Sequence, residues 1–568
     1  MITDYTMIRT ILTDFIKKNI SADTDFSLEK PKADFGDYAS NVAFLLAKGE
    51  KKSPIIIAQE LAEKLRAHLP KEIERLEAAE GFINFFVTAD FLQKQIFDLA
   101  HKKEIGEDLK TLGAGKTVIV EYSSANIAKP MHVGHLRGTM LGDALANIYA
   151  LTGHRVIRWN YYGDWGTQFG KLIAAYKMWG DPATVKANPI QSLLDLYVRF
   201  HGELEEHPDY EARGQEEFQR LEAGDSENVN LWLWFKGESI KEFDRLYARL
   251  RVHFDVDIGE SFYENKLEGV VKELVKKKIA VESEGAIVAI LDNLPPALIQ
   301  KSDGASLYHT RDIANLEYRI ETYKPAAILY VVGNEQSLHF QQLFAIAKKM
   351  GISGVQLDHI KHGAVLDENG GKFATREGRI IPAEEVVDKA VSLARGVVEL
   401  KNPTVPPDEK NLIAESVGIG ALKYEMLKDH RHTDIVFDWK RMLDFSGNSG
   451  PYLQYTFARL MSILHKAGEQ RTEADVSRLT HVRERALLCH LIEFDNTIIQ
   501  AAHECATNQL ALYLYELANL CGRYYEEVRV LQEPEETIRR ARLLLVDICA
   551  RVLERGLFLL GITALPRM

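Results

Sequence analysis

The chain contains 568 residues, of which 46% are hydrophobic and 27% charged, and its 70 Lys and Arg against 82 Asp and Glu give a formal net charge of −12. This composition is normal for globular proteins, so it excludes a disordered chain, a collagen-like fibre and a small disulfide framework. The acidic balance argues against a protein that coats nucleic acid indiscriminately, although a local basic surface remains compatible with it. The length predicts about three or four domains.

The cysteines and the apolar runs indicate the cellular compartment of the protein. No Cys-x-x-Cys pair occurs, so we predict buried, reduced thiols and no protein-held metal. No apolar run approaches the roughly 20 residues of a membrane-spanning helix, and the first residues carry no basic leader. We therefore expect a cytoplasmic protein without membrane contact. The four cysteines are Cys489, Cys505, Cys521 and Cys549.

The start of the chain predicts a separate small α/β domain. Residues 7–16 carry helically spaced apolar side chains. Ser53 and Pro54 predict a second helix start, since Ser caps helices and Pro is tolerated in the first turn. Residues 81–87 are typical of a strand bounded by glycine. A charged stretch and a glycine pair follow, so we place the N-terminal domain at residues 1–112.

The middle of the chain alternates strand and helix patterns. A strand, a helix and a second strand in succession are the start of a parallel sheet. A later strand and helix continue the pattern, so we predict an α/β class, Rossmann-like catalytic domain over residues 113–435. The patterns cover residues 117–122, 136–148, 155–159, 328–332 and 338–350.

Two further segments have helical patterns. Residues 186–257 are charged and mostly helical, and we interpret them as an insertion into the parallel-sheet domain. From Val417 onward the pattern is overwhelmingly helical, with two long apolar stripes. We therefore predict an all-α helical bundle over residues 436–568.

The loop after the first strand of the sheet carries His132, Gly134 and His135, where the next helix begins. A helix N-terminus offers free N–H groups and a positive dipole end, which favour phosphate. Two imidazoles one turn apart can donate to the same oxyanion, and the glycine leaves room for a flat ring. Such a histidine pair more often caps a helix or binds an ion, but the strand–loop–helix setting favours a nucleotide site.

Four segments resemble one protein family. Residues 121–137, EYSSANIAKPMHVGHLR, resemble the signature of arginyl-tRNA synthetases of class I, and residues 163–170, GDWGTQFG, resemble that family's next signature. Residues 34–38, DFGDY, resemble its N-terminal domain, and residues 448–455, NSGPYLQY, resemble the start of its anticodon-binding domain. One departure is minor, because Ala125 replaces a common proline with another small residue. The resemblance covers the chain end to end and is closest to bacterial-type members.

The resemblance implies an activity. The expected reaction is ATP-dependent ligation of L-arginine to the 3′-terminal adenosine of tRNA(Arg), through an arginyl-adenylate, with release of AMP and pyrophosphate. ATP and Mg²⁺ are the expected cofactors, and tRNA is expected to be bound before the first step. L-arginine, ATP and tRNA(Arg) are the expected partners, DNA and membranes are not, and the family implies a monomer.

A second departure affects the mobile lysine loop of class I synthetases. The matching residues 372–378 are KFATREG, in which Lys372 matches the first lysine. Thr375 stands where a second lysine would hold the ATP phosphates, and Arg376 or Lys129 could supply the missing charge. A solvated glycine-rich hairpin is the alternative interpretation. The expected catalytic residues are His132, His135, Lys129, Lys372 and Arg376, and the expected ATP contacts are His132, Gly134, His135, Lys372 and Thr375.

The expected arginine pocket needs carboxylates, because they satisfy a planar guanidinium in fork geometry. Tyr308 and Asp312 are four residues apart and share one helix face, where a ring and a carboxylate suit a guanidinium. Spacing alone favours an ordinary surface pair with Arg311 as the local salt-bridge partner. The resemblance instead implies arginine contacts at Glu121, Asn126, Tyr308, Asp312 and Gln336.

A basic stretch with interleaved aromatic residues, from Lys423 to Arg459, opens the helical domain. Cations for phosphates and aromatic rings for unstacked bases fit an RNA loop, although a solvated helix face is the alternative. The resemblance implies that the helical domain reads the anticodon and that the N-terminal domain touches the tRNA elbow. The expected tRNA contacts are Arg431, Lys440, Tyr452, Tyr455 and Arg459.

Two competing functions follow from the same residues. A catalytically silent tRNA-binding relative is favoured only by the altered lysine loop, since the histidine pair is intact. A class I synthetase for lysine, glutamate or cysteine is the other. A lysine ammonium cannot satisfy a bidentate pocket, and a pocket with unpaired polar groups can discriminate by about 10⁴–10⁵.

Overall fold

The computed structural model describes residues 8–20, 24–31, 35–302, 304, 307–371, 381–401, 403–468 and 474–568. The strands are β1 Leu28–Glu29, β2 Tyr38–Ser40, β3 Ile73–Ala79, β4 Phe82–Val87, β5 Thr117–Glu121, β6 Arg155–Asn160, β7 Val256–Asp257, β8 Ala280–Ser283, β9 Ala286–Ala289, β10 Ala297–Gln300, β11 Ala327–Tyr330, β12 Gln356–His359, β13 Val365–Leu366 and β14 Ile435–Val436.

The helices lie between and after these strands. They are α1 Ile8–Asn19, α2 Val42–Glu50, α3 Pro54–Arg66, α4 Ala89–His101, α5 Val133–Leu151, α6 Thr167–Trp179, α7 Pro182–Ala187, α8 Pro189–Gly202, α9 Asp209–Glu222, α10 Ser226–Leu250, α11 Leu267–Lys276, α12 Tyr308–Tyr323, α13 Ser337–Met350, α14 Ala383–Lys401, α15 Pro407–Leu427, α16 Trp439–Met442, α17 Gly450–Ala467, α18 Val482–Leu491, α19 Phe494–His503, α20 Thr507–Glu527 and α21 Glu536–Leu559.

The N-terminal elements form a small α/β unit, in which an antiparallel sheet of order β1-β2-β4-β3 packs against helices. The predicted helix start is confirmed, because the Ser53 hydroxyl accepts a hydrogen bond from the Ile55 N–H at 3.3 Å. The predicted strand is confirmed as β4, whose side chains are mostly buried.

A five-stranded parallel sheet of order β12-β11-β5-β6-β7 forms the centre of the molecule. The predicted β5–α5–β6 unit and the later strand and helix are confirmed, except that β11 ends two residues before the predicted limit. The chain runs from β5 through α5 to β6 on one side of the sheet centre, and from β11 through α13 to β12 on the other side. The order therefore reverses between β5 and β11, where ligands bind in open parallel sheets.

The segment of residues 186–257 is mostly helical, as predicted, and contains the end of α7, then α8, α9 and α10, with β7 at its end. Its longest helix, α10, is fixed to the central domain by the Trp232 Nε1–H, which donates to the Asp164 carbonyl at 2.8 Å. A three-stranded antiparallel sheet of order β10-β9-β8 follows the insertion and was not predicted. The Thr310 hydroxyl at the start of α12 donates to the Ile299 carbonyl in β10, at 2.5 Å.

The C-terminal part is a bundle of helices α17 to α21, as predicted, and α15, which precedes the predicted boundary at residue 436, packs against α17 and α20. All four cysteines are free. The predicted burial is confirmed for Cys505, Cys521 and Cys549, whereas Cys489 is half-buried. Over the residues that the structure describes, none of the helices has the length and apolar character needed to span a lipid bilayer.

A buried ion pair joins the bundle to the central sheet. Lys423 in α15 lies 3.7 Å (Nζ to Oδ2) from Asp143 in α5, and their side chains are only 1% and 4% exposed. Gly561 packs against the pair so closely that a Cβ there would lie 2.6 Å from the lysine Nζ. Lys423 belonged to the basic stretch predicted to face RNA, and that interpretation is wrong for this residue, because its ammonium is enclosed.

Removing one member of this pair is expected to destabilise the protein strongly. Asp143→Asn leaves the Lys423 ammonium buried without its counter-ion, which costs about 3 kcal/mol or more. The double variant Asp143→Leu with Lys423→Met removes both charges and is expected to recover most of that loss. Urea unfolding followed by fluorescence measures both variants. An unfolding midpoint of Asp143→Asn equal to that of the parent chain would contradict the argument.

Candidate active site

The loop between β5 and α5 has an unusual backbone path. Ser123, Ser124 and Ala128 adopt φ values of 72°, 48° and 60°, which non-glycine residues rarely adopt. The Ala128 N–H donates to the Ser239 hydroxyl of α10 at 2.8 Å, so the insertion helps to hold the loop. Asn126 forms an isolated bridge with Gly163, where a Cβ would lie 1.9 Å from the asparagine Oδ1. The two signature segments therefore contact each other directly, and the second one needs glycine at position 163 for this contact.

His132 and His135 are held by hydrogen bonds at the N-terminus of α5. The His132 Nδ1 accepts from the Gly134 N–H, and the His135 Nδ1 accepts from the His132 N–H, each at 3.1 Å. The ring centroids are 3.9 Å apart. Because each Nδ1 accepts, each neutral ring carries its proton on Nε2 and can donate it to a ligand. The pair thus caps the helix, which the simpler interpretation proposed, and also presents two donors.

Both imidazoles are neutral at physiological pH. Burial lowers the pKa of His132, and burial together with the neighbouring His132 lowers the pKa of His135 to about 3. They can therefore act as neutral hydrogen-bond donors at pH 7 and do not act as cations. Compensation of phosphate charge must come from other residues.

The histidine pair borders two cavities. A cavity of about 470 Å³ opens between the carboxyl ends of β5 and β11, a size that suits a small ligand. A second cavity of about 440 Å³ lies against α8 and has a mostly apolar lining. Asn126, His132 and His135 line both. The first cavity is also lined by Gly134, Glu335, Gln336 and His362, and the second by Lys129, Pro130, Leu194, Val198 and Pro382.

Lys129 lies three residues before His132, on the loop that precedes α5. Burial lowers its pKa, and its ammonium lies 4.4 Å from the centre of the Tyr197 ring of α8. It lines the second cavity together with His132 and His135. The expected positions Lys372, Thr375 and Arg376 lie outside the described residues.

Glu121 is buried at the carboxyl end of β5 and forms an ion pair with Arg319. Arg319 is itself fully enclosed, with its guanidinium 4.3 Å from the centre of the Trp159 ring. Sequence reasoning missed this partner, because the two residues are 198 positions apart. One signal was available, since Arg319 lies seven residues after Asp312 and therefore near the same face of α12. Glu121 is thus fixed in place before any ligand arrives.

Tyr308 and Asp312 begin α12, as predicted, and do not form a pair with Arg311. Asp312 Oδ2 lies 2.6 Å from the Nε2 of His339, a partner that sequence reasoning missed. Arg311 is buried and contacts Glu264 at 3.1 Å and Glu260 at 4.0 Å. The tyrosine side chain is 59% exposed. The interpretation of a local surface salt bridge with Arg311 is therefore wrong for this helix.

Glu260 is a further carboxylate at this site that sequence reasoning missed. The residue is 8% exposed, and its Oε2 has no hydrogen-bond partner among the described residues. Burial raises its pKa to about 8, opposed by Arg311 and reinforced by the nearby Asp312. The available signal was its position just after β7, because the carboxyl ends of parallel strands meet at one edge. A cation entering here would find several carboxylates.

The remaining arginine-binding candidates lie on loops. Gln336 ends a short 3-10 helix, Asn334–Gln336, after β11, and it is exposed and lines the larger cavity. Asn126 is also exposed at that cavity. The structure therefore brings Asn126 and Gln336 together with the histidine pair, at the point where the strand order reverses.

The candidate RNA contacts divide into exposed and engaged residues. Lys440 is exposed, Tyr455 is 42% exposed, and the Arg459 guanidinium lies 4.8 Å from the centre of the Tyr525 ring. Tyr452 is half-buried and donates to Asn519 Oδ1 at 3.0 Å, and Arg431 donates to the Glu504 carbonyl at 3.2 Å. Lys440, Tyr455 and Arg459 are thus the more accessible of the five.

Comparison with known families matches all three parts of the chain. The catalytic domain of class I (R) tRNA synthetases matches residues 98–439, the DALR anticodon binding domain matches residues 453–568, and the arginyl tRNA synthetase N terminal domain matches residues 6–87.

Full-length relatives agree. The chain is 40% identical to an arginine–tRNA ligase of Clostridium perfringens over 98% of this chain and 99% of the relative. It is 43% identical to one of Streptococcus uberis over 95% of each chain. Among solved structures, the arginyl-tRNA synthetase of Thermus thermophilus matches with a TM-score of 0.81 and 29% identity over 99% of this chain and 100% of that one. That of Plasmodium falciparum matches with a TM-score of 0.83 and 26% identity over 99% and 98%. The chain belongs to the arginyl-tRNA synthetase family of class I.

Proposed function

We propose that this chain joins L-arginine to the 3′-terminal adenosine of tRNA(Arg) as an arginine–tRNA ligase, using ATP and releasing AMP and pyrophosphate. One observation carries the proposal. The paired histidine donors lie at the helix N-terminus beside β5, and the carboxylates of Asp312 and Glu260 lie near the same edge of the sheet. Relatives named arginine–tRNA ligase over the full length support it.

The first step forms arginyl-adenylate. A carboxylate oxygen of arginine attacks the α-phosphorus of ATP, the bond to the bridging oxygen breaks, and pyrophosphate leaves with that electron pair. The Nε2–H groups of His132 and His135 donate to phosphate oxygens as negative charge shifts in the transition state. Gly134 leaves space beside them for the nucleotide. The protein contributes position and charge stabilisation without a covalent intermediate of its own.

The second step transfers the arginyl group to RNA. A ribose hydroxyl of the terminal adenosine, the 2′-OH in class I enzymes, attacks the carbonyl carbon of the adenylate. AMP leaves with the electron pair of the broken bond, and the hydroxyl proton passes to a phosphate oxygen of the leaving AMP. Asn126, at the boundary of both cavities, would hold the α-amino or carboxylate end of arginine during both steps.

Cations are needed for the leaving pyrophosphate, since the histidines are neutral. We assign this role to Lys129, Lys372 and Arg376, with Thr375 contacting ATP through its hydroxyl. Mg²⁺ would arrive with ATP, because it combines substrate phosphates with one or two carboxylates, and Glu335 supplies a carboxylate at the larger cavity. The ion would neutralise phosphate charge.

The arginine pocket would combine Glu121, Asn126, Tyr308, Asp312 and Gln336 with the additional carboxylate of Glu260. Asp312 and Glu260 would bind the guanidinium in fork geometry, and the Tyr308 ring would lie against it. Glu260 is buried and the Asp312 side chain is only 20% exposed, so an unpaired state of these carboxylates is costly, which disfavours a ligand with fewer donors.

The three parts of the chain would share the tRNA. Residues 1–112 would contact the elbow, residues 113–435 would carry out the chemistry, and residues 436–568 would read the anticodon through Arg431, Lys440, Tyr452, Tyr455 and Arg459. We assign residues 186–257 to a helical insertion that supports the active-site loop. The protein would act as a cytoplasmic monomer.

Arginine-dependent exchange between ATP and pyrophosphate, with and without tRNA(Arg), tests the function. We expect exchange with arginine only when tRNA is present. Exchange without tRNA would support the ligase activity and contradict the requirement for bound tRNA in the first step. Absence of arginine-dependent exchange in both cases, with tRNA still bound, would favour a catalytically silent relative.

Glu260 predicts a distinct pH dependence. Its raised pKa of about 8 means that the free enzyme must lose a proton before this carboxylate can pair with the guanidinium. We expect kcat/KM for arginine to rise as the pH passes from about 7 to 9, whereas kcat at saturating arginine stays level because the histidines are already neutral. Glu260→Gln should lower kcat/KM and remove the rise. A rise of equal size in that variant would contradict the assignment.

A further inference from the structure

The family-like segment at residues 34–38 lies outside the active site, yet two of its residues make unusual contacts. Asp37 is in the N-terminal domain, with a side chain that is 11% exposed. Its Oδ2 accepts from the Arg485 Nη2–H at 2.6 Å and from the Val87 N–H at 2.8 Å. Its Oδ1 accepts from the Cys489 thiol at 3.2 Å. Arg485 and Cys489 belong to α18 of the C-terminal bundle, so Asp37 spans two domains.

Tyr38 makes a second contact between the same two domains. The residue is 3% exposed, and its hydroxyl donates to Glu493 Oε1 at 2.5 Å. The other oxygen of Glu493 accepts from the Arg9 Nε–H of α1, also at 2.5 Å. Groups of the N-terminal domain therefore engage both oxygens of this carboxylate, which follows α18.

These partners lie on α18 or just after it. Arg485 and Cys489 are spaced four residues apart on one face of α18, and Glu493 follows two residues after the end of that helix. Cys489 and Ile492 pack against the apolar core of the N-terminal domain. Lys30 adds a contact, with its ammonium 3.1 Å from the Nδ1 of the buried His490. This part of the interface is thus a row of charge-assisted hydrogen bonds over a small apolar patch. Elsewhere the same two domains meet where Arg551 donates to the Ala100 carbonyl at 3.0 Å and where the Lys102 ammonium lies 3.4 Å from Asp495.

Charge-assisted hydrogen bonds of this kind fix orientation more sharply than apolar packing does, because their distances and angles are narrow. An apolar contact of similar size would let the two domains shift against each other. Asp37 and Glu493 prevent this, because each accepts hydrogen bonds on both carboxylate oxygens. The row therefore sets how the β2–β4 sheet is oriented relative to α18 and α19.

We propose that Asp37 and Tyr38 are positioning residues that hold the N-terminal domain at a fixed distance from the anticodon-binding bundle, so that both can contact one tRNA. This inference rests on the proposed function, in which these domains touch the elbow and the anticodon. A preset spacing avoids the ordering cost that two loosely joined surfaces would have on binding. Neither residue touches the cavities beside the histidine pair.

Asp37→Asn and Tyr38→Phe test the proposal, since each keeps the side-chain shape. We expect each to raise KM for tRNA(Arg) about tenfold and to weaken tRNA binding, measured by filter binding, by a similar factor. We expect kcat, KM for ATP and KM for arginine to stay within about twofold of the parent values. Arg485→Gln should raise KM for tRNA(Arg) by a similar factor. The double variant Asp37→Asn with Arg485→Gln should raise this KM by less than the product of the two single factors, because both substitutions remove the same ion pair.

Asp90→Asn is the matched control, an exposed carboxylate in the first turn of α4, and it should leave all constants unchanged. Unchanged tRNA affinity in Asp37→Asn and Tyr38→Phe would overturn the proposal while the parent chain still charged tRNA. A fall in kcat together with a rise in KM for arginine would also overturn it, because these changes indicate general destabilisation. If the parent chain charged no tRNA, the proposed function would fail, and filter binding would still decide the positioning role.

Discussion

Replacing His135 with alanine is expected to lower kcat for arginine activation by about 10²–10³-fold, the loss typical for removing one preorganised donor from a transition state. The effect should be large because the side chain has two roles. It lines the cavities with an Nε2–H that the proposed mechanism uses as a donor to phosphate, and its Nδ1 accepts from the His132 N–H at 3.1 Å. The variant therefore removes one donor and loosens the backbone that positions the other.

The measurement is single-turnover formation of arginyl-adenylate in the presence of tRNA. KM for arginine should change little, since the donors act on phosphate and not on the guanidinium. His101→Ala, on the N-terminal α4, is the matched control and should retain parent activity. A loss below about fivefold in His135→Ala would show that the histidines only cap the helix.

Strong local patterns made much of the fold predictable. The β5–α5–β6 unit combines a buried β-type run with helically spaced apolar residues, so its type and order follow from short-range periodicity. The β8–β9–β10 sheet was missed because its strands are four residues long and β8 is mostly exposed, which leaves no alternation to detect. Short edge structures of this kind depend on pairing with neighbours.

The site was predictable where residues are close in sequence and not where partners are distant. The histidine pair and the Tyr308–Asp312 spacing could be found, whereas the Arg319 partner of Glu121 depends on tertiary packing. Lys423 was misassigned by its charge, although the apolar residues around it in α15 already indicated a buried segment. A charge is therefore informative only together with its helical neighbours.

Asp312→Asn is expected to lower kcat/KM for arginine by about 10²-fold or more, since a charged partner of a largely buried cation contributes about 3 kcal/mol. The amide keeps the shape of the side chain and its contact with His339, so the loss reports charge and fork geometry. Glu260→Gln should produce a smaller loss, because Glu260 is mostly protonated near pH 7 in the free enzyme.

Steady-state aminoacylation over a wide arginine range measures these effects, with ATP and tRNA saturating. Glu321→Gln, an exposed carboxylate on the same helix, is the matched control and should behave as the parent chain. KM for ATP should not change in Asp312→Asn, Glu260→Gln or Glu321→Gln. Lysine sharpens the test, because its ammonium cannot make two parallel hydrogen bonds to a carboxylate and should be rejected by about 10⁴ or more. If Asp312→Asn left arginine KM unchanged, or if the parent chain activated lysine at a comparable rate, the guanidinium would have to bind elsewhere and the assignment of this pocket would be wrong.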